Sequence, residues 1–476
     1  MAEPSYTLEI EFETGSFTNV TDRLLTANVN RRVGGAFLPL GEGMAMFTLD
    51  NDDGAFSPSN GLSPYAGKLR PGRSIRMTAT HSANTWFVFN GETRRFIVDP
   101  MRSSRVTLEC VDPITRLRNK KIDTGMLTDT NPGSVFTEIF SQTGVQSTIV
   151  SSFTHTIPFV WYNNKSAINA VRDLLEFGHY WIYGRADGAV VVENQNWNLE
   201  PTATASYAEY YAMNYALDSE SVMNDLRITS EPRKLASVVQ TVAWIQEPIS
   251  VPASGSTRFW LQYVDPDSPL NPAPAKNMVT PVSSADYQTS TQSGGGGTDT
   301  TNTTSVSVTF FGESALCDVF NGYGQPVYLN KFQLRGNSIQ RQPRISYATD
   351  SSTSQQLYGD RSVTIENDFI GTLAYAENYG QFLLNRYSEV FPDITFTLKN
   401  EFPDVLRLDI GDTVSLVESI TGIRNDAIIT SVNATIDTQR GIEHTVQYGV
   451  DLRLSIGFLV LDDANYGKLD ERRLGF

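Results

Sequence analysis

Two stretches far apart in the chain carry one pattern of apolar and polar positions. The first is Lys68-Leu69-Arg70-Pro71-Gly72-Arg73-Ser74-Ile75-Arg76-Met77 and the second is Arg407-Leu408-Asp409-Ile410-Gly411-Asp412-Thr413-Val414-Ser415-Leu416. Aligned on Gly72 and Gly411, each has a leucine three positions before the glycine and apolar residues three and five positions after it. A turn followed by period-2 alternation predicts a half-buried strand, and glycine suits the turn because it reaches backbone angles that a Cβ forbids. Each copy is followed by two more strand-like runs: Arg95 to Val98 and Val106 to Cys110 after the first, Ala427 to Thr430 and His444 to Tyr448 after the second. The repeated triplet predicts two similar small β-barrels. Gly72, Gly411 and Asp412 are the residues expected to shape their turns. A chance match between two strand runs would instead leave those turns in unrelated places.

The rest of the pattern divides the chain. Residues 1–112 read as all-β, with Tyr6 to Phe12 alternating apolar and polar and Gly34, Gly35, Gly41 and Gly43 punctuating a hairpin. Residues 113–205 read as a small α+β domain. Helical spacing runs from Ser134 to Gly144 and from Ser166 to Gly178, and a hairpin over Tyr180 to Val192 turns at Asp187-Gly188. Segments 206–245 and 351–457 are assigned to the second barrel, with a helix expected from Thr372 to Glu389. Region 246–350 reads as an inserted, sandwich-like β domain, with strands expected at Thr257 to Leu261, Ser305 to Phe310 and Val327 to Leu334. Its Ser/Thr/Gly-rich stretch from Ser290 to Thr304 is expected as an exposed loop. Residues 458–476 form a short tail that could dock on a neighbour. The fold class expected is therefore mainly β and multidomain.

At 476 residues the chain exceeds one core. A formal net charge of −16 argues against tracking nucleic-acid phosphates, which needs a basic face, and suits either plain solubility or a pore through which DNA slides without sticking. Cys110 and Cys317 lie in apolar, strand-like contexts and read as small buried hydrophobes rather than a disulfide framework. The N-terminal residues lack a signal-peptide pattern, and no run approaches a membrane span.

Candidate chemistry is sparse. His81, His155, His179 and His444 have no metal-type spacing, and packing is the expected role of His179 and His444. In Asp50-Asn51-Asp52-Asp53-Gly54 the glycine is fifth, and the twelfth position is Gly61 rather than glutamate, so a turn is expected in place of a calcium loop. Asp265, Asp267, Asp462 and Asp463 are expected in turns. No nucleophile elbow, P-loop or dinucleotide fingerprint occurs. A two-carboxylate glycosidase stays open, because its acids need be close only in space.

The order of several segments resembles the tail hub (baseplate hub) and minor tail proteins of tailed bacteriophages. These segments are Thr48 to Pro58 followed by Ser63 to Gly72, Val327 to Gly336, the Thr372 to Glu389 helix leading to Leu408-Asp409-Ile410-Gly411-Asp412, and Phe458 to Asp463 with Tyr466 to Leu469. The resemblance implies two tube-type barrels per subunit and a homotrimer whose pseudo-sixfold ring surrounds a DNA channel and joins the tail tube to the tail tip. It implies as partners the distal tail or tube proteins, the tape measure protein and tail-tip or fibre proteins, with DNA passing unbound. It implies no catalytic residue, metal or cofactor, and a place in the virion tail tip. The alternative function is host binding, with 246–350 recognising a surface saccharide or protein.

Overall fold

A thirteen-stranded sheet joins the two ends of the chain. The computed structural model describes residues 3–99, 104–149, 152–194, 205–207, 210–439, 441–452, 458–459 and 473–474. In chain order the sheet's strands are β1 (Ser5–Glu13), β2 (Ser16–Asn19), β3 (Leu24–Arg32), β4 (Met44–Asp50), β5 (Ser74–His81), β6 (Asn84–Asp99), β7 (Arg105–Val111), β8 (Ala205–Tyr207), β9 (Ala212–Leu217), β10 (Pro392–Lys399), β11 (Thr413–Glu418), β12 (Ile423–Asp437) and β13 (Glu443–Asp451). Their lateral order is β9-β10-β13-β12-β3-β4-β7-β6-β5-β1-β2, with β11 beside β12 and β8 beside β11. Alternation sets the faces. In β1, Tyr6, Leu8, Ile10 and Phe12 are buried while Thr7, Glu9 and Glu11 lie nearer solvent.

One apolar core underlies strands from both ends, including Phe47, Leu108 and Met77 from the first and Phe396, Tyr448 and Leu416 from the second. A second core gathers the α+β region. Helix α1 (Pro132–Thr143) starts two residues before the sequence pattern implies, because Asn131 caps it by accepting from the Gly133 N–H at 2.8 Å. It stops at Gly144, whose φ of +69° is a left-handed cap. Helix α2 (Ala167–Gly178) packs beside it, and the expected hairpin appears as Trp181–Gly184 paired with Val190–Glu193.

The segments expected to make up one second barrel, 206–245 and 351–457, divide among these cores and a third, since Val242 and Ala243 pack with Tyr263 and Leu329 of the 246–350 region. Strand Asp225–Ser230 pairs with Ile345–Asp350 and Ser362–Glu366. Leu226, Ile228 and Ile365 join Phe136 and Leu174 in the second core, together with Tyr379 and Leu383 of helix α3 (Leu373–Tyr387). The cause is the apolar stripe of α3, which needs a surface. The three-stranded sheet supplies one face of it, and Tyr379 Oη reaches the Glu176 carbonyl of α2 at 2.6 Å.

The glycines after β3 do punctuate a hairpin, since β3 and β4 pair, but their loop reaches into the α+β region. Gly34 and Gly35 pair with Ile182 and Trp181, and a Cβ on Gly34 would stand 2.3 Å from the Gly41 nitrogen. The 246–350 region has its own core around Tyr263, Cys317, Leu329 and Phe332. Its strands Ser256–Gln262, Thr304–Phe310 and Val327–Arg341 overlap the expected ones, the last running on well past Leu334. The Gly294 to Gly297 tip is exposed. Its flanks are pinned by buried Thr289, Thr300, Thr301 and Thr304, and Asn330 Oδ1 accepts from the Gly294 N–H at 2.7 Å. Most of the 458–476 tail lies outside the described residues. The chain is mainly β and multidomain.

Candidate functional site: the seam between two strand repeats

Gly72 and Gly411 occupy left-handed turns, with φ of +84° and +95°. The Gly72 N–H donates to the Thr93 carbonyl at 2.6 Å, and the Thr93 N–H donates to the Arg73 carbonyl at 2.8 Å. At the other turn the Gly411 N–H donates to Ile429 and the Ile429 N–H donates to Asp412, both at 2.9 Å. The correspondence continues outward. Ile75 faces Gly91 as Val414 faces Ala427, and Thr93 faces Cys110 as Ile429 faces Val450. One residue later both long strands carry a β-bulge, at Arg94 and at Thr430. Beyond the bulges, Phe96 and Val432 face Leu108 and Tyr448, which in turn face Phe47 and Phe396. Phe47 then faces Ala27, and Phe396 faces Met213. Strands β3 to β7 thus match β9 to β13 one for one. The two units differ at the flank, where β5 pairs antiparallel with β1 while β11 pairs parallel with β8.

The units join along one seam, where β3 pairs with β12. Seven residue pairs run from Thr26–Asp437 to Arg32–Ser431, and the Val33 N–H extends them by donating to the Thr430 carbonyl at 2.8 Å. Val29, Arg31, Val432 and Ala434 are buried there, whereas Asn28, Asn30, Asn433 and Thr435 face outward. Thr435 Oγ1 donates to Asn28 Oδ1 at 3.1 Å.

Arg31 is the charged group under the seam. It is 5% exposed, and its Nη1 donates to Asp409 Oδ1 at 2.5 Å and to the Gly184 carbonyl at 3.3 Å. The Ala186 N–H donates to Asp409 Oδ2 at 3.1 Å, tying the α+β hairpin to the same carboxylate. Asp412, the third residue expected at the turns, accepts from the Asp409 N–H at 2.8 Å, and burial pushes its carboxyl above the usual range. On the same buried face, where His444 faces Ile436, Tyr6 Oη and His444 Nδ1 are hydrogen-bonded at 2.8 Å, and burial pulls the imidazole down to about 4. Asp112 accepts from the Gly43 and Ile114 N–H groups at 2.7 and 3.0 Å, and burial raises its carboxyl to about 7.

A cavity of about 530 Å³ opens beside the seam, lined in part by Arg31, Arg185, Asp187, Asp409 and His444. Its charges pair with one another, as in Arg31–Asp409 and Arg185–Asp187, which suits a structural joint. Among the described residues no group of three or more His, Cys, Asp or Glu could hold a metal ion. No helix there is long and apolar enough to cross a membrane. His179 is buried, hydrogen-bonded through Nε2 to Tyr387 Oη at 2.8 Å. Asp50 and Asp53 accept from the Asp52 and Ala55 N–H groups, as turn carboxylates do.

No family model matches the sequence, and no curated protein matches it. Solved structures do match. Over 94% of this chain and 98% of its own, the 43 kDa tail protein of prophage MuSo2 from Shewanella oneidensis superposes with a TM-score of 0.50 at 11% identity. The tail protein from Neisseria meningitidis MC58 does so over 94% and 97%, with a TM-score of 0.52 at 8% identity. The chain has the fold of phage tail proteins. Across that fold the likeness spans nearly the whole of each tail protein, so the strand repeats, the α+β region and the inserted region all fall within the matched span.

The sequence pattern singled out the two glycine turns of this tail-protein fold but missed the seam. Arg31 and Asp409 carry no local signal that they meet. A second feature it missed lies on the inserted region. Trp260, 60% exposed, lies 5.3 Å from the ring of Phe311, and a cleft of about 400 Å³ runs past Trp244 and Trp260.

Proposed function

We propose that this protein is the structural hub of a bacteriophage tail, three copies forming a pseudo-sixfold ring around the DNA channel where tail tube meets tail tip. The observation that carries the reading is the seam. One chain holds two matching five-strand units side by side in a single sheet, so three chains would present six. A chain with net charge −16 suits a channel from which DNA must slip freely. Tube proteins above, the tape measure protein within and tip or fibre proteins below are the partners of that position, and the role is non-enzymatic. Closed rings grow from heterologous contacts that return on themselves. Light scattering on the purified chain and reconstruction of tail tips test the proposal. A threefold assembly on the tail axis supports it, and a chain that stays monomeric and off the particle refutes it.

A second reading, host binding at the tail tip, is favoured by the exposed Trp260 and Phe311 on the inserted region and by Trp244 on the same cleft. Aromatic faces beside polar groups such as Gln246 and Gln262 suit a saccharide. Under this reading, particles carrying Trp260→Ala with Phe311→Ala assemble but fail to adsorb. Unchanged adsorption by such particles would exclude it.

A further inference from the structure

The matched units leave two strand edges whose counterparts are already paired inside the chain. By the correspondence above, β9 is the counterpart of β3, and the end of β6 is the counterpart of the end of β12. β3 and β12 make the seam. Among the described residues β9 has a strand partner only in β10, and the end of β6 only in β7. From this geometry we infer that β9 of one copy pairs antiparallel with the end of β6 of the next, continuing the sheet from subunit to subunit. The inference rests on the hub reading and names the surface that reading requires.

The seam fixes the register. Val29 faces Ala434, Asn30 faces Asn433, Arg31 faces Val432 and Arg32 faces Ser431. Carried across, Tyr215 meets Val98, Ala216 meets Ile97, Leu217 meets Phe96 and Asp218 meets Arg95. Burial supports the match. Val29, Arg31, Val432 and Ala434 are each 5% exposed or less at the seam. Their counterparts Tyr215, Leu217, Phe96 and Val98 are all apolar, yet Tyr215 and Leu217 are 39% and 62% exposed and Phe96 and Val98 are only partly buried. An apolar face at an unpaired edge is a template for another strand. Asp218 and Arg95 would add opposite charges in direct register. The outward pair, Ala216 and Ile97, takes the place of Asn30 and Asn433.

The hydrogen-bonding alternation adds detail. Val33–Thr430 is a bonded pair at the seam, so Arg31–Val432 and Val29–Ala434 are bonded pairs too, and Asn30–Asn433 is not. The counterpart of that non-bonded pair, Ala216 and Ile97, would bring two Cα atoms to the separation a disulfide accepts.

The test uses the full chain carrying Ala216→Cys with Ile97→Cys, oxidised and run on a non-reducing gel. The expected result is covalent species ending at three copies. The single-cysteine variants should stay uncrosslinked, because Cys110 and Cys317 are buried. In parallel, Leu217→Asp should shift the assembly to monomer in light scattering with an unchanged circular dichroism melt. A threefold assembly that neither crosslinks nor responds to Leu217→Asp overturns this pairing while leaving the hub reading standing. A wild-type chain monomeric at tens of micromolar, with and without tail-tube partners, overturns both.

Discussion

Arg31 and Asp409 lie 378 positions apart and form the ion pair beneath the seam. The pair is buried on the arginine side and about a quarter exposed on the aspartate side. Removing one partner of a buried pair strands the other charge, at roughly 3–5 kcal/mol. Asp409→Ala should sit near the upper end of that range, because the charge it strands is the buried Arg31 guanidinium. Arg31→Met with Asp409→Leu should cost less than Asp409→Ala alone. Urea unfolding of the wild type and the two variants measures both differences.

The left-handed turns resist side chains. A Cβ at Gly72 would meet nothing within 4 Å, so the cost there is conformational rather than steric. Placing a non-glycine residue in that backbone region costs about 1–2 kcal/mol. Gly72→Ala and Gly411→Ala should each lose about that much in a denaturation midpoint, valine more and asparagine less. Gly411→Val should also impair assembly, since the turn neighbours Asp409. Intact rings from that variant would count against the placement of the turn beside the joint.

Asp112 and His444 pull the stability–pH curve in opposite directions. The buried Asp112 carboxyl, raised to about 7 from an ordinary 3.8, holds its proton in the fold where the unfolded chain has lost it. Its contribution is complete below about pH 4 and is lost as pH rises through 7. The buried His444 imidazole, lowered to about 4 from 6.5, refuses a proton that the unfolded chain accepts, so its contribution is lost as pH falls from 6.5 to 4. Each slope integrates to on the order of 3–4 kcal/mol. Asp112→Asn should therefore give a melting temperature that climbs from pH 4 to 6.5, and His444→Gln one that falls from pH 4 to 7. Calorimetry across that range reads the two signs separately.

The two bulges bend the sheet without changing its pairing. Thr430 is the extra residue between Ile429 and Ser431 on β12, and the residues around it, Ile429 and Val432, face Val450 and Tyr448 on one side of β13. Deleting Thr430 should therefore close the ladder on the same pairs and remove only the local bend and twist. Deleting Arg94 should do the same between Thr93, which faces Cys110, and Phe96, which faces Leu108. Both variants should fold, with a lower midpoint in urea unfolding and an unchanged core; a variant that fails to fold would show that the bend itself is required.

Both native thiols should be inert. Cys110 and Cys317 are buried, and burial raises Cys317 to about 12 and Cys110 well above its ordinary value. A thiol reagent should label neither until the chain is unfolded.

The glycine turns could be read from the sequence because each combines a turn residue with strict alternation, and both cues are local. The bulges could not. Thr93-Arg94-Arg95 and Ile429-Thr430-Ser431 hold no glycine or proline, so nothing local marks the extra residue. The seam was out of reach for a different reason. Asn30 and Asn433 meet because two strands of similar alternation share an edge, and alternation alone does not choose a partner. Helix α3 was legible as a helix from its Ala376, Tyr379, Leu383 and Tyr387 spacing, but the surface it packs on was not. That surface is assembled from Leu226 and Ile228 of one strand and Ile365 of another, far apart in the chain.

Covalent linkage makes the β3–β12 joint a unimolecular event. Its two strands meet at an effective concentration set by the intervening chain, whatever the abundance of the protein. The contact proposed between copies would have no such tether and would depend on concentration. A dilution series should therefore take the assembly apart at every second joint, releasing paired units and never single ones.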